Sequence, residues 1–387
     1  MSRELDIVVF GATGFTGGLT AHYLAKHAPP ELRWGIAGRS AAKLEAVKAK
    51  LVAAEPRCAE VAVIEASVDD PASLERMTAR TQVLLTTVGP FIDYGEPVVR
   101  ACIAQGTDYL DSTGEPYFVQ QLIGRYGAEA RSRNVRLVSA CGFDSIPADL
   151  GALFTVLALP AGQPIKLSGF LSLEGVFSGG TERSALKAMV PPKDLVPVPP
   201  PSAGPGRTVK LELGKLQKRT DLGAWAAPMP TIDGPIVVRS AAGLDRYGPD
   251  FRYAHHVLNK SLAALLLGGM FFGMLALLVR IPPLRALFLK LVKPSGVGPS
   301  EEQMRKGWFK LRFVGEAGGQ TIHTEVAGGD PGYGETSKML AESALCLALD
   351  RAILPARAGV LTTAEAMGER LLERLQRAGL SFRVLPG

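Results

Sequence analysis

Three glycines at intervals of three stand in the sequence GATGFTG, directly after a short apolar run. The first glycine allows a tight turn after a strand, the second allows the backbone to approach a pyrophosphate, and the third allows the next helix to pack closely. The amide groups at the start of that helix would then face the phosphates. The motif therefore predicts a dinucleotide-binding loop. Its contributing residues are Gly11, Thr13, Gly14, Phe15, Thr16 and Gly17.

The residues after the second predicted strand select the dinucleotide. An NAD site has an acidic residue about 20 positions after the glycines, whereas an NADP site has cations for the 2′-phosphate. Arg39 occupies that position, followed by Ser40, a good N-cap for the next helix, and by Lys43, so that a guanidinium, a hydroxyl and an ammonium group can meet one phosphate. The alternative is that Arg39 is an ordinary solvated charge. We expect NADP(H).

The turn after the fourth predicted strand is expected beside the nicotinamide half of the crevice. Val88, Gly89 and Pro90 occupy this turn, where a glycine and a proline would keep bulky side chains away from the cofactor. An ordinary connection from strand to helix would contain the same residue types. The three residues are therefore candidates for cofactor binding, not for catalysis.

Candidates for orienting the substrate or delivering a proton are Asp144, Ser145, Tyr94 and Tyr333. Asp144 and Ser145 follow the sixth predicted strand, and substrates bind outside the carboxyl ends of the strands in doubly wound sheets. Ser145 could equally cap a helix that starts at Ile146. No tyrosine is followed by lysine four residues later, so the Tyr/Lys pair of short-chain dehydrogenases is absent from the sequence.

These residues need a sheet to position them, and the first 150 residues alternate apolar runs with helical patterns. This alternation predicts a Rossmann doubly wound parallel sheet in an α/β fold. The predicted strands are Asp6–Phe10, Leu32–Ala37, Val61–Ile64, Gln82–Thr87, Thr107–Leu110 and Val135–Ala140. The predicted helices include Thr16–His27, Ala41–Ala53 and Tyr117–Ser132.

Beyond residue 150 the alternation ends, and a mixed α/β domain is expected. Further strands are predicted at Ile236–Ser240, Trp308–Val314 and Gln320–Val326, and a helix at Thr363–Ala378. Residues 190–206 contain seven prolines and are expected to form an extended surface loop or a lid. The expected division is an NADP-binding domain at 1–150, a substrate or dimerisation domain at 151–350 with an apolar segment at 261–293, and a C-terminal helical segment at 351–387 that packs on the first domain.

Composition restricts the class of protein. The chain has 387 residues, 47% of them hydrophobic, and a net charge of +6 from 43 Lys+Arg and 37 Asp+Glu. This excludes a disordered chain, and the positive charge without a nucleic-acid motif suits an acidic carrier protein or an anionic membrane. Four scattered cysteines and five histidines without an H-x-x-x-H pair predict no metal site, and a cytoplasmic location is expected. No cleavable signal peptide is expected.

An uncharged run of 18 residues, Leu262–Val279, is followed by a predicted basic amphipathic helix with Arg285, Lys290 and Lys293 on one side. Three interpretations fit: a peripheral anchor or acyl-binding surface, a helix buried in the core or in a homodimer, and a membrane span. The first would locate the protein on the inner face of the plasma membrane. The sequence leaves all three open.

Taken together, the motifs resemble those of the saccharopine dehydrogenase-like oxidoreductases, and among them the bacterial trans-acting enoyl reductases. The resemblance rests on DIVVFGATGFTG, AGRS, TTVGPF, YGEPVV, CGFDSIPADLG, SGGT at 178–181, KPSGVGPS at 293–300 and DPGYGETSKM at 330–339. It implies an NADP-binding Rossmann domain, a second mixed domain and a role in lipid biosynthesis with membrane association. No catalytic residue is attached to these motifs.

The resemblance implies an NADPH-dependent reductase of the C=C bond in a lipid or polyketide-derived acyl chain, presented on an acyl carrier. Two alternatives remain open. A saccharopine-type enzyme would act on a C–N bond and would need convergent cations for a substrate with several carboxylates. A non-catalytic NADP(H)-binding module at the membrane would agree with the missing catalytic signature.

Overall fold

A computed structural model describes residues 3–175, 179–292 and 298–386 of the chain. Ser178 and residues 293–297, which belong to two of the sequence blocks quoted above, lie outside the described residues. The described residues form two β-sheets with helices packed on them.

The strands are β1 (Leu5–Phe10), β2 (Trp34–Gly38), β3 (Ala62–Glu65), β4 (Thr81–Thr86), β5 (Asp108–Asp111), β6 (Arg136–Val138), β7 (Ile165–Glu174), β8 (Thr208–Glu212), β9 (Gln217–Arg219), β10 (Ala224–Pro228), β11 (Asp250–Asn259), β12 (Trp308–Ala317), β13 (Gln320–Gly328), β14 (Gly359–Leu361) and β15 (Ser381–Val384). The helices are α1 (Phe15–His27), α2 (Ala41–Ala54), α3 (Pro71–Arg80), α4 (Phe91–Gln105), α5 (Pro116–Ser132), α6 (Ile146–Ala158), α7 (Gly179–Ala188), α8 (Asp233–Gly243), α9 (Leu262–Leu278), α10 (Pro282–Leu291), α11 (Glu301–Lys306), α12 (Gly334–Leu349), α13 (Thr363–Ala366) and α14 (Gly368–Arg377).

The first sheet is parallel and, in the described part of the chain, has seven strands in the order β14-β6-β5-β4-β1-β2-β3. Its central strand β1 is apolar throughout because both faces are covered. Ile7 and Val9 pack with α1 on one side. Val8 and Phe10 pack with α3 and α4 on the other. The helices on both faces are those of a doubly wound sheet.

The second sheet is mixed, and among the described strands its order is β15-β13-β12-β7-β11-β10-β9, with β8 paired to β11. β7 runs parallel to β11 and antiparallel to β12. Helix α6 links the sheets: it starts beyond β6 and packs against β12 and β13. The predicted fold class, a Rossmann sheet followed by a mixed α/β part with an apolar helical insertion, is confirmed.

The C-terminal segment contributes to both sheets. β14 pairs in parallel with β6 at the edge of the first sheet, and β15 pairs with β13 in the second. The helix predicted over Thr363–Ala378 is divided at Met367 into α13 and α14, and Gly368 has a positive φ of 50° at the break. The chain after residue 350 therefore contains more than helices.

The strand predicted at Ile236–Ser240 is wrong, because these residues lie within helix α8. A short apolar run does not distinguish a buried strand from a buried helix. Asp233 and Pro235 in the first turn are typical of a helix start, and Ile236, Val237 and Ala241 form its buried side. The residues that flank the apolar run, and not the run itself, indicate a helix.

Helix α9 contains nearly the whole uncharged run and has no buried residue. The interpretation that the run is buried in the core of the single chain is therefore wrong. Among the described residues, no helix is both long and apolar enough to cross a membrane. Pro282 and Pro283, which follow the run, begin helix α10, and α10 packs against α7.

Asp149 on α6 connects three helices through a buried carboxylate. It accepts hydrogen bonds from the Ser240 hydroxyl on α8, and from Thr363 Oγ1 at 2.6 Å and Ala364 N at 2.8 Å in α13. Burial raises the pKa of Asp149 to about 6, against the opposing effect of these donors. Loss of the carboxylate would leave buried donors unpaired.

We expect Asp149→Ala to lower the free energy of unfolding by about 3 kcal/mol, measured by urea denaturation. Asp245→Ala is the control, because the side chain of Asp245 is fully exposed, and its effect should stay within about 0.5 kcal/mol. Equal effects of the two substitutions would show that the buried hydrogen bonds contribute little.

Candidate functional site

The glycine loop holds the end of β1, the start of α1 and the end of β4 in close contact. Gly11 has a φ of +94°, and a Cβ on it would lie 2.8 Å from Thr87 Oγ1. A Cβ on Gly17 would lie 2.3 Å from the carbonyl oxygen of Gly11. No larger residue fits either position, so the first turn of α1 lies directly over the end of the strand. Its free amide groups therefore face the crevice, as a pyrophosphate requires.

The cation predicted for a 2′-phosphate lies at the end of β2. Arg39 is exposed and forms no ion pair or side-chain hydrogen bond within the described ranges. Ser40 caps α2 as predicted, since its Oγ accepts from the backbone N of Lys43 at 3.4 Å. The Thr13 hydroxyl oxygen lies 3.8 Å from the point that a Cβ on Gly38 would occupy. Arg39 and Lys43 are both exposed beside this strand end, and their contact with a 2′-phosphate stays a prediction.

A cavity of about 250 Å³ extends from the glycine loop along the carboxyl ends of the strands. We call it the cofactor cavity. Its walls combine the first turn of α1 with the loops after β4, β5 and β6 and with helix α7. The lining residues are Gly14, Phe15, Thr16, Gly17, Thr87, Gly89, Phe91, Ser112, Gly114, Asp144, Thr181, Ser184 and Ala185.

Asp144 is the titratable residue in the wall of the cofactor cavity. Its Oδ1 lies 2.7 Å from the point that a Cβ on Gly114 would occupy, so a side chain at position 114 would displace the carboxylate. Burial raises the pKa of Asp144 to about 7, and the negative charge of Asp233 contributes to this rise. A carboxyl group with such a pKa can hold and release a proton near neutral pH.

Asp233 belongs to a buried polar group on the second sheet and α8. It accepts a hydrogen bond from the Thr231 hydroxyl, and its Oδ2 lies 4.0 Å from His255 Nε2. His255 Nδ1 lies 2.6 Å from the Tyr253 hydroxyl oxygen. Burial raises the pKa of Asp233 to about 7 and lowers that of His255 to about 4. The histidine is therefore neutral at pH 7, and Asp233 has no cationic partner in it.

Two further carboxylates hold the loops of the cavity. Glu115 accepts from the backbone N of Phe91 and of Ile92, both at 2.9 Å, at the start of α4. Asp111 accepts from Ala140 N and from Ser139 Oγ, both at 2.9 Å. These contacts fix the loops after β4, β5 and β6 relative to one another. Their role is to position the cavity wall.

The other three catalytic candidates do not line the cofactor cavity. Ser145 is fully buried and donates its hydroxyl to the carbonyl oxygen of Ala140 at 2.9 Å. Tyr94 lies on the first turn of α4 with 40% of its surface exposed. Tyr333 is buried behind the wall, where its ring meets Phe15 edge-on at 4.9 Å and its hydroxyl oxygen lies 3.2 Å from Thr181 Oγ1.

Sequence reasoning placed Gly14, Phe15, Thr16, Gly17, Gly89 and Asp144 at the site, and these line the cavity. It did not single out the polar side chains that complete the wall. Ser112 follows β5, whereas Thr181 and Ser184 come from α7, beyond the first sheet. The block at 178–181, with its two glycines and a threonine, is the sequence feature that could have indicated α7 as part of the cavity wall. Val88 and Pro90 belong to the same turn as Gly89 without lining the cavity.

Known proteins resemble both the N-terminal part and the full length of the chain. Residues 7–138 match the family profile described as the saccharopine dehydrogenase NADP binding domain. A trans-acting enoyl reductase of Mycobacterium bovis (strain BCG / Pasteur 1173P2) is 35% identical over 421 residues, covering 98% of this chain and 97% of the relative. A Mycobacterium tuberculosis (strain ATCC 25618 / H37Rv) protein that carries this name with a provisional qualifier is 38% identical at the same coverage.

Among solved structures, the apo saccharopine dehydrogenase (L-Glu forming) of Saccharomyces cerevisiae resembles the chain with a TM-score of 0.60. The alignment covers 100% of both chains at 13% sequence identity. At this identity the likeness concerns the fold alone. It extends over both sheets, not only over the dinucleotide-binding part.

We expect Arg39→Ala to weaken NADPH binding about tenfold or more and to reduce the preference for NADP over NAD, because a charge-assisted contact with the 2′-phosphate is lost. Quenching of protein fluorescence by each nucleotide measures both effects. Lys50→Ala at the exposed end of α2 is the control and should leave both affinities unchanged. Unchanged NADPH affinity in Arg39→Ala would contradict the assignment.

Proposed function

The chain belongs to the family of the mycobacterial trans-acting enoyl reductases, and on this premise we propose that it reduces the C=C bond of a lipid or polyketide-derived acyl substrate with NADPH. Its N-terminal part is an NADP-binding domain of the saccharopine dehydrogenase type, and the protein is an NADP-dependent oxidoreductase. The proposal concerns the substrate, which we take to be an α,β-unsaturated thioester on an acyl carrier.

The main observation that supports this proposal is that the described lining of the cofactor cavity contains no cationic side chain. Among the described residues that line it, none is Arg or Lys, and Asp144 is acidic. A substrate with several carboxylates would need cationic partners in such a site. An uncharged enoyl thioester needs apolar contacts and a few hydroxyl donors, which Phe15, Phe91 and Ser112 offer. The lining therefore favours C=C reduction over saccharopine-type C–N chemistry.

The residues have distinct roles in this reaction. The amides of the first turn of α1 bind the pyrophosphate, and Arg39, Ser40 and Lys43 bind the 2′-phosphate. NADPH, when bound, supplies a hydride to the β-carbon of the substrate. The Ser112 hydroxyl stabilises the enolate oxygen that develops. Asp144 delivers its proton to the α-carbon, which completes the reduction.

Asp233 acts through Asp144 and is a positioning residue. Burial is the main cause of the raised pKa of Asp144, and the negative charge of Asp233 adds to it, so that Asp144 keeps a proton to deliver at neutral pH. Val88, Gly89 and Pro90 form the turn beside the nicotinamide half of the crevice. Ser145, Tyr94 and Tyr333 remain candidates of lower rank, because other contacts or exposure separate them from the cavity.

The surface of α9 and α10 supports an apolar substrate and a place at the membrane's inner face. The exposed side chains of α9 include Leu267, Met270 and Phe271. Lys260, Arg280, Arg285 and Lys290 flank them and form no ion pair within the part of the chain described. Helix α10 also contacts α7, since Arg183 Nη2 lies 3.4 Å from the carbonyl oxygen of Leu289. The apolar surface is therefore joined to one wall of the cofactor cavity.

We expect Asp144→Asn to lower kcat for reduction of a 2-enoyl pantetheine thioester by about 10²-fold or more, because the general acid is lost, with unchanged NADPH affinity. NADPH oxidation is followed by absorbance. In the wild-type enzyme kcat/KM should be full below about pH 7, the pKa of Asp144, and should fall above it.

Asp233→Asn is the matched variant for this role. Removing its charge lowers the pKa of Asp144, so the fall in kcat/KM should move to lower pH while activity at acid pH is retained. An unchanged pH profile would contradict the coupling.

Turnover with an amino acid and an oxo acid but not with enoyl thioesters would replace the proposal with C–N chemistry. Tight NADPH binding without oxidation of any substrate would indicate a binding module.

The enzyme should sediment with vesicles that contain an anionic phospholipid and much less with neutral phosphatidylcholine vesicles, because apolar and cationic side chains act together. The double substitution Arg285→Gln with Lys290→Gln should weaken this binding, and added salt should weaken it as well. Lys48→Gln with Lys50→Gln on α2 is the charge-matched control. Equal sedimentation of both double variants would contradict a role for α10.

A further inference from the structure

A second cavity of about 850 Å³ lies between α5, α8, β14 and the proline-rich segment at 198–202. We call it the strap cavity. None of its lining residues lines the cofactor cavity. Its size falls within the range of sites that bind small molecules. Most of the wall is apolar, with Val119, Ile123, Val198, Leu211, Ile232 and Ile236 among the lining residues.

Three arginines line the strap cavity and meet around the start of β14. The side chain of Arg131 packs over Gly359, since its Cγ lies 2.7 Å from the point that a Cβ there would occupy. Arg239 Nη2 donates to the carbonyl oxygen of Val360 at 2.9 Å. Arg357 precedes the strand and lines the same cavity. The cations are therefore concentrated at one end of a mostly apolar site.

Arg239 has too few partners for a largely buried guanidinium. It lies on α8 and, within the described residues, its side chain forms one hydrogen bond, to a carbonyl, and no ion pair. Burial lowers its pKa, but a guanidinium stays protonated in proteins. The charges of Glu365 and Asp149 act on Arg239 only from beyond ion-pair distance, and a buried charge without a directly contacting counterion is costly. Its remaining N–H groups can be satisfied from the cavity.

The strap cavity is also lined by the carboxylate of Glu365, which does not neutralise the charge of the three arginines. Glu365 accepts from the backbone N of Thr362 at 2.9 Å in the capping box of α13. Its Oε1 lies 3.7 Å from Arg357 Nη1, which also donates to the carbonyl oxygen of Gly243 at 2.8 Å. One acidic group therefore faces three cations, and Arg131 and Arg239 are left without a carboxylate partner.

We propose that the strap cavity binds a linear apolar chain that ends in one anionic group, with the anion at Arg239, Arg131 and Arg357 and the chain along α5 and α8. The inner wall leads toward the cofactor site, because Val119, Ile232 and Ile236 pack against Ala140 at the end of β6. The proposal does not depend on the reaction that the enzyme catalyses. It assigns a second ligand site to the protein.

Calorimetric titration of the full-length protein tests this with three twelve-carbon probes: dodecanoate, dodecyl phosphate and the neutral dodecanol. We expect one molecule of an anionic probe to bind, at least tenfold more tightly than dodecanol. The tighter of the two anions identifies the head group as carboxylate or phosphate. Equal affinity for all three probes, or no binding of any, would overturn the proposal.

Arg239→Met keeps the apolar stem and should weaken binding of the anionic probe at least tenfold, with little effect on dodecanol. Arg246→Met is the matched control, because Arg246 also donates to backbone carbonyls but does not line the cavity. Arg131→Gln changes an exposed residue and provides a second test if Arg239→Met fails to fold.

The exposed surface of α9 could bind the same probes without the strap cavity. Phe271→Ser with Met270→Ser on α9 should therefore leave the affinity for the anionic probe unchanged. Loss of binding in this α9 variant but not in Arg239→Met or Arg131→Gln would show that the probe binds at α9 and would overturn the proposal.

Discussion

The contact between Gly11 and Gly17 is the constraint on which the site depends. The carbonyl oxygen of Gly11 lies 2.3 Å from where a Cβ of Gly17 would stand, and Thr87 Oγ1 lies 2.7 Å from the same point. These distances leave room for hydrogen atoms only. Helix α1 therefore starts directly over the ends of β1 and β4, and its first amides face the crevice. A methyl group at either glycine would separate the phosphate-binding turn from the strand ends that carry the rest of the site.

Whether a carboxyl group near the cofactor cavity can transfer a proton depends on the hydrogen bonds and charges around it. Asp111 accepts hydrogen bonds from loop residues and Glu115 accepts two from the first turn of α4, so both serve as fixed acceptors. Asp144 is in the cavity wall, and Asp233 faces a histidine whose lowered pKa leaves it neutral. Burial raises the pKa of both groups, and the negative charge of Asp233 adds to the rise at Asp144. The same sequence region thus provides both rigid loops and a carboxyl group able to transfer a proton.

Local patterns in the sequence were sufficient for strands β1 to β6 of the first sheet, but not for its edge strand β14 or for the cavity wall. The spacing of Gly11 and Gly17, the cap at Ser40 and the alternation of strands and helices all concern neighbouring residues, and the structure agrees with each. The partners of Asp144 are determined by tertiary packing: Asp233 is 89 positions away, in a segment predicted to precede a strand and found in a helix. Likewise, the polar residues of α7 reach the cavity only because this helix, which follows β7 of the second sheet, lies against the strand ends of the first. No periodicity within one segment predicts such contacts.

The cationic side chains form three separate groups on the protein, which the net charge of the sequence does not distinguish. Arg39 and Lys43 lie at the end of β2, four cations flank the apolar helix α9, and three arginines line the strap cavity, whereas the cofactor cavity has no Arg or Lys among its described lining residues. A field that is positive around the cofactor cavity but not within it would attract the anionic carrier or membrane that we propose as a partner, without pairing with Asp144. A cation inside the cavity would favour the ionised form of Asp144 and lower its pKa, which would remove the proton that reduction needs at neutral pH. The exclusion of cations from this cavity is therefore as much a part of the site as the residues that line it.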